Sequence, residues 1–168
     1  MAARRLRRQE GASSVEFALI ASLLFMIMFG VIQFGIAYNR YQGVEGAARE
    51  GARLASVGAT YADIATRVKT AANQEIVSIA SWQDQCSPDP PTLQDRLCAV
   101  ISYVDTSGAK VTISSGTATP PCKVASANNP GNPQVVVDAK YKMAITIPFV
   151  FNTITPVVTG EGIFRCEN

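Results

Sequence analysis

The sequence predicts an α+β chain: a long N-terminal transmembrane helix, then a second helix, then a small antiparallel sheet outside the membrane. Three observations predict it. Phe17 to Asn39 is a stretch of 23 residues without a charge. Ile64, Val68, Ala72, Ile76 and Ile79 recur at helical spacing. Val135, Val137, Ala139, Tyr141, Met143, Ile145 and Ile147 alternate with Asp138, Lys140, Lys142 and Thr146, as in a strand with one face buried.

As a helix, the uncharged stretch is about 34 Å long at ~1.5 Å per residue, enough for a hydrocarbon core of ~30 Å. Gln33 is its only strongly polar residue at depth, and Tyr38 and Tyr41 stand near its far end, where amphipathic rings favour the headgroup layer. Arg4, Arg5, Arg7 and Arg8 precede it and hold the N-terminus in the cytoplasm. A cleaved secretory signal normally has an apolar region of only about 7–15 residues, so an uncleaved span fits better.

The helical pattern continues past Asn39. Gly43, Ala47, Gly51 and Ala55 fall four apart, a small-residue stripe that admits a close backbone, either another helix or the chain's own domain. Glu45 and Arg49 are an i,i+4 pair in the favourable order. Gly58 and Thr60 mark a break, and Thr60 with Asp63 reads as a capping box for a helix over 61–80. A Pro-rich loop follows at 86–92. Leu97–Val104 and Lys110–Ser114 flank the turn residues Asp105 to Gly108 and predict a hairpin. Residues 115–133 read as a long exposed loop tethered by Cys122. A last strand near 157–166 carries Cys166, and Gly160-Glu161-Gly162 reads as a strand bulge or turn.

Composition narrows the function. There are 15 Lys+Arg against 13 Asp+Glu and no His. Removing residues 1–11 takes away four Arg and Glu10, leaving 11 basic against 12 acidic, or −1. The positive charge therefore belongs to the N-terminal tail, and no basic surface points to nucleic acid. Without His, and with Cys86, Cys98, Cys122 and Cys166 in no CxxC pair, a zinc site is disfavoured and no cofactor is expected. An even number of widely spaced cysteines beyond a membrane segment predicts two disulfides in an oxidising compartment. Three connectivities are open; 86–98 with 122–166 is preferred. Nucleotide-binding, serine-hydrolase and metalloprotease motifs are absent, and the chain reads as structural, not enzymatic.

Glu16 precedes the apolar stretch directly, and Gly11 stands five residues upstream. Cleavage after Gly11 would give Ala12 a free α-amine and make Glu16 the fifth residue. Amine and carboxylate then enter the membrane on one helix end, where each can neutralise its counterpart on a neighbouring helix.

A basic leader, a glycine, four residues and then Glu-Phe opening a hydrophobic helix resembles the type IV pilin-like signal cut by prepilin peptidases. "GASSVEFALI" and the later "GAAREGARLAS", Gly46 to Ser56, resemble the TadE-like proteins, pseudopilins of the bacterial tight-adherence (Tad, Flp-pilus) systems. Tyr141 and Pro148 match more loosely. Glu10 before the glycine, where a basic residue is usual, and Ala12 after it, where major pilins have Phe, depart from the pattern.

The resemblance implies a pilin-like fold with a leader at 1–11, a helix with its extracytoplasmic continuation at 12–57 and an α+β domain at 58–168. It also implies a single-pass protein of the inner membrane, contacting lipid. Its partners would be a prepilin peptidase, other pilins or pseudopilins and the inner-membrane assembly platform. A mature length of 157 residues (168 less 11) far exceeds a short major pilin and points to a minor subunit. The alternative is an unprocessed anchor presenting an extracytoplasmic binding domain.

Overall fold

One helix, α1, runs unbroken from Ala3 to Ser56 in a computed structural model that describes residues 3–76, 79, 81–83, 86, 91, 94–147 and 152–167, with side chains from Ser13 onward except at 75, 146, 147 and 152. Its 54 residues make a rod of about 81 Å. No proline interrupts it. From Ser13 to Gln42 nearly every side chain is exposed, including Phe17, Leu24, Phe34 and Tyr38. From Gly43 the helix enters the domain, and Val44, Ala47, Ala48, Ala52 and Ala55 are buried. Gly58 ends it at φ 85°, donating its N–H to the Ala55 carbonyl at 3.1 Å.

Helix α2, Tyr61–Glu75, lies along the buried part of α1. Thr60 caps it, its hydroxyl oxygen accepting the Asp63 N–H at 3.3 Å. The helix expected over 61–80 stops earlier, because Ile76 is extended (φ −111°, ψ 105°) while its N–H still caps the Ala72 carbonyl. β-Branched Ile76 and Val77 end the helix-favouring stretch. Residues 77, 78 and 80, like most of the Pro-rich loop and Pro148, lie outside the described residues.

The strands are β1 (Ser81–Gln83), β2 (Arg96–Val104), β3 (Lys110–Thr112), β4 (Gln134–Lys142), β5 (Ile145–Ile147), β6 (Asn152–Ile154) and β7 (Val157–Arg165). A five-stranded sheet has the order β1-β2-β4-β7, with β3 also paired to β2. It is mixed, not purely antiparallel as expected, because β1 runs parallel to β2. The expected hairpin is present: β2 and β3 pair antiparallel, and the Asp105 carboxylate accepts the N–H groups of Ser107 and Ala109 at the turn.

The core lies between the helices and one face of the sheet. Leu97, Ala99 and Ile101 of β2 and Val135, Val137, Ala139 and Tyr141 of β4 meet Val44, Ala48, Ala52, Ile64, Val68 and Ala72. The Tyr141 hydroxyl donates to Asp95 at 2.8 Å, so this buried ring keeps a polar partner.

Two expectations fail here. Residues 115–133 contain a third helix, α3 (Pro121–Asn128), with Pro121 in its first turn and Cys122 and Ala125 buried. The alternating stretch to Ile147 is not one strand, because the ladder breaks after Lys142 and resumes at Ile145. Pro156 explains the break, since it has no N–H to donate and instead accepts the Met143 N–H at 3.1 Å. Register is kept across the gap: Lys142 faces Val157, and Ile145, three residues on, faces Ile154, three residues back. β4–β5 and β6–β7 thus form one two-stranded ribbon that overhangs the sheet.

Candidate assembly surface

The apolar part of α1 has an 18-residue window of mean hydropathy 2.5, none of it buried, and is long and apolar enough to cross a membrane. Gly11 and Ala12 lie within the helical run of α1. Glu16 is exposed at the edge of the apolar stretch, and among the described residues no ion pair involves it.

The stripe of Gly43, Ala47, Gly51 and Ala55 faces the chain's own domain, and all four are buried. A β-carbon at Gly51 would overlap the Val68 side chain and stand 3.6 Å from Ile64 Cγ2, so the glycine seats α2 against α1. The exposed helical glycines are different ones. Gly30, Gly35 and Gly46 have nothing within 4 Å of where a β-carbon would stand.

Sequence reading missed how β7 docks on α1. Gly160 and Gly162 are neither bulge nor turn, since both sit in regular pairing opposite Ala139 and Val137. A β-carbon at Gly160 would come within 2.6 Å of the Glu45 backbone, and one at Gly162 within 2.8 Å of Arg49 Cα. The two glycines let the helix backbone rest directly on the strand. Their spacing of two, matching a strand's period, was the available signal; its meaning depended on a helix distant in sequence.

Ion pairs line the flanks. Glu45 and Arg49 pair along α1, and Arg67 of α2 reaches Glu50 of α1 at 2.6 Å. On the sheet's outer face Lys110 bridges Glu161 at 2.9 Å and Asp138 at 3.7 Å. Burial depresses the Lys110 ammonium, but its hydrogen bond to Glu161 and the charge of Asp138 outweigh that and hold it above the ordinary lysine range. Burial pushes the Asp138 carboxyl up, against the pull of Lys110. The exposed Asp105 carboxylate is held low, first by the Ser107 hydroxyl and then by the Ala109 N–H. Among the described residues no group of three acidic or cysteine side chains could hold a metal ion.

Both disulfides are formed. Cys86–Cys98 covers the outer face at β2, with Cys98 fully buried. Cys122–Cys166 joins α3 to the end of β7. It sits at the end of α1: Cys122 Sγ is 3.8 Å from the Ser56 carbonyl oxygen, which also accepts the Glu167 N–H at 3.2 Å. The last turn of α1 is thereby tied to the C-terminal end of the chain.

A helix that is exposed and apolar over its first part and enters a small disulfide-bonded α+β head over its second has a pilin-like build. The family model described as TadE-like protein matches residues 11–53, from the candidate processing glycine to three residues before α1 ends. The match covers about a quarter of the chain, all of it within α1. No curated protein and no solved structure matches the chain.

Proposed function

We infer that the protein is a minor pseudopilin of a Tad/Flp-type pilus machine, cleaved by a prepilin peptidase after Gly11. It acts in pilus biogenesis and adhesion through helix packing in the inner membrane, with its α+β domain on the extracytoplasmic side. One observation carries this reading: the TadE-like match begins at Gly11 and covers a helix whose apolar stretch has no buried residue. An isolated domain has no use for some 30 exposed residues of helix, whereas a bundle of such helices in a bilayer covers them.

Ala12 and Glu16 are one helical turn apart, so after cleavage the new α-amine and the carboxylate sit on the same helix face. Glu16 is the charge-pairing residue toward neighbouring subunits. The stripe from Gly43 to Ala55 is occupied by the chain's own domain and Gly30 faces Ile145 and Ile154, which leaves Gly35 and Gly46 as the close-approach points for other pilins or pseudopilins.

N-terminal sequencing of the protein from cells that possess the peptidase tests this reading. Ala12 as first residue supports it. An intact Met1 on functional protein replaces it with an unprocessed anchor presenting a binding domain.

A further inference from the structure

The face of α1 that the β5–β6 ribbon covers lies well inside the apolar stretch. Ile145 and Ile154 share a groove of about 350 Å³ with Met26, Gly30, Gln33 and Ala37. Ala37 is two residues from Asn39, the outer end of the uncharged stretch, and Met26 is thirteen from it. The groove therefore runs from about 3 Å to about 20 Å inside that end. A bilayer that reaches Asn39 would enclose the docked ribbon. Among the described residues β5 and β6 form a two-stranded sheet, and each has one edge that no other strand pairs. Backbone groups left unsatisfied in hydrocarbon are too costly for such an edge to face lipid.

Lowering the helix until the ribbon clears the hydrocarbon does not resolve the conflict. N-terminal to Met26 the uncharged stretch keeps only Phe17 to Phe25, nine residues or about 14 Å, against a core of ~30 Å. It would also leave Phe29, Val31 and Ile32 in water, all exposed on the chain. A spanning α1 and a docked ribbon exclude each other.

The ribbon is loosely held. A β-carbon at Gly30 would meet nothing within 4 Å, so the strands stand off the helix there, and Ile154 is 44% exposed. The ladder is interrupted at Ala144 and Thr155, between the Lys142–Val157 and Ile145–Ile154 pairs. The Met143 N–H on the Pro156 carbonyl is the last link before the gap, and Met143 is buried. A bend at Ala144 and Thr155 turns the ribbon while Met143 stays in the core.

We propose that the β5–β6 ribbon is a strap that lipid displaces: closed on the Met26–Ala37 face outside a bilayer, and released into the aqueous phase when α1 spans one. This rests on the reading of α1 as membrane-spanning. Lipid and ribbon compete for one helix face. Release exposes the two isoleucines of the groove, already partly in water, a smaller loss than unpaired strand edges in hydrocarbon. A subunit that passes from bilayer to assembly then regains cover for part of the face that lipid gives up.

The full chain in phospholipid vesicles with brominated acyl chains tests this. The unsubstituted protein, whose single Trp is Trp82 of β1, sets the baseline. Leu24→Trp reports that α1 enters the bilayer, and Ile32→Trp, at the level of the groove but outside its lining, reports how deep. Both should be quenched by lipid bromine. Ile154→Trp, and separately Thr153→Trp at an exposed neighbouring site, should add emission that aqueous acrylamide quenches and bromine does not. Trp at 153 or 154 quenched by bromine means that the ribbon stays beside α1 in lipid, and Trp shielded from both quenchers means that it stays closed against protein. Either result, with quenching at 24 and 32, overturns the proposal and leaves the helix reading intact. Quenching at 24 but not at 32 means a shallow helix with the ribbon still docked, and also overturns it. No quenching at 24 overturns the helix reading, and the proposal with it.

Discussion

Gly162 of β7 lies directly beneath the Ala48 carbonyl of α1, so that a β-carbon there would stand 2.7 Å from the Ala48 carbonyl carbon. The atoms it would meet are backbone, which no rotamer change can move aside. Gly162→Ala must therefore lift α1 from the sheet or bend β7, at about 1–3 kcal/mol. Gly116→Ala, at a glycine with open space around it, should change denaturant midpoints little. Equal midpoints for both variants would show that the helix does not rest on the strand.

The same contact shows what the sequence could and could not reveal. The long helix, the Thr60 cap, the turn at Asp105 and the inward face of β4 are local patterns, each readable from one window of residues. Gly160 and Gly162 read as a turn because their purpose lies 110 or more residues away, in α1. Helix α3 was hidden by composition: eight residues with Pro at the start, set in a Pro/Asn/Ser-rich stretch, are too few to show an amphipathic period. The break between β4 and β5 left no trace in the alternation, because the cause is Pro156 on the facing strand. Of the candidate assembly surface, Glu16 and Gly11 stand out in the sequence as a motif whose role is the proposal made above. The stripe from Gly43 was legible as small residues, but its occupant was fixed only by the fold.

Gly46 separates folding from assembly. It is exposed, helical and uncrowded, so Gly46→Ala should stabilise α1 by about 0.5–1 kcal/mol. If a neighbouring helix approaches there, the same change reduces pilus formation despite the more stable fold. Thermal melts of the purified protein and pilus counts on cells carrying the variant read the two effects separately. A gain in both would remove Gly46 from the contact.

The two disulfides should contribute unequally. Cys122–Cys166 closes a separation of 44 residues and Cys86–Cys98 one of 12. Chain entropy gives about 4 kcal/mol for the longer loop and about 3 for the shorter. Replacing Cys122 and Cys166 together by Ala should lower the denaturation midpoint more than the corresponding Cys86/Cys98 pair. It should also speed amide exchange in the last turn of α1, whose Ser56 carbonyl those residues cover.

Asp138 makes stability depend on pH in a defined direction. Its folded carboxyl titrates above the ordinary value of 3.8, so the folded state holds the proton more tightly than the unfolded one. That contribution is fully present below the unfolded pKa and is lost as pH rises through the folded pKa. Asp138→Asn removes the buried charge while Glu161 still holds Lys110. The variant should be at least as stable as the parent at neutral pH, with any advantage fading as pH falls below about 4. Asp105, held low, acts in the opposite sense in both proteins and so cancels in the comparison. A variant that loses stability at neutral pH would mean that the Lys110 contact outweighs the burial of the carboxylate.

Glu16 decides whether the N-terminal end of α1 is an assembly device or only an anchor. A lone charge within a membrane helix costs about 2.5–3.5 kcal/mol at mid-bilayer and less near the surface, so insertion tolerates Glu16 either way. What the carboxylate can add is neutralisation of the α-amine that cleavage exposes on a neighbouring chain. Glu16→Ala leaves that amine alone in low dielectric, and a loss of about 1.4 kcal/mol or more per contact lowers assembly tenfold or more. Membrane fractionation should show the variant inserted and N-terminal sequencing should show it cleaved, while pilus number falls. Glu16→Asp keeps the charge on a side chain one methylene shorter and should restore part of the loss. Normal piliation in Glu16→Ala cells would leave the carboxylate without a role between chains, and α1 would then be explained by anchoring alone.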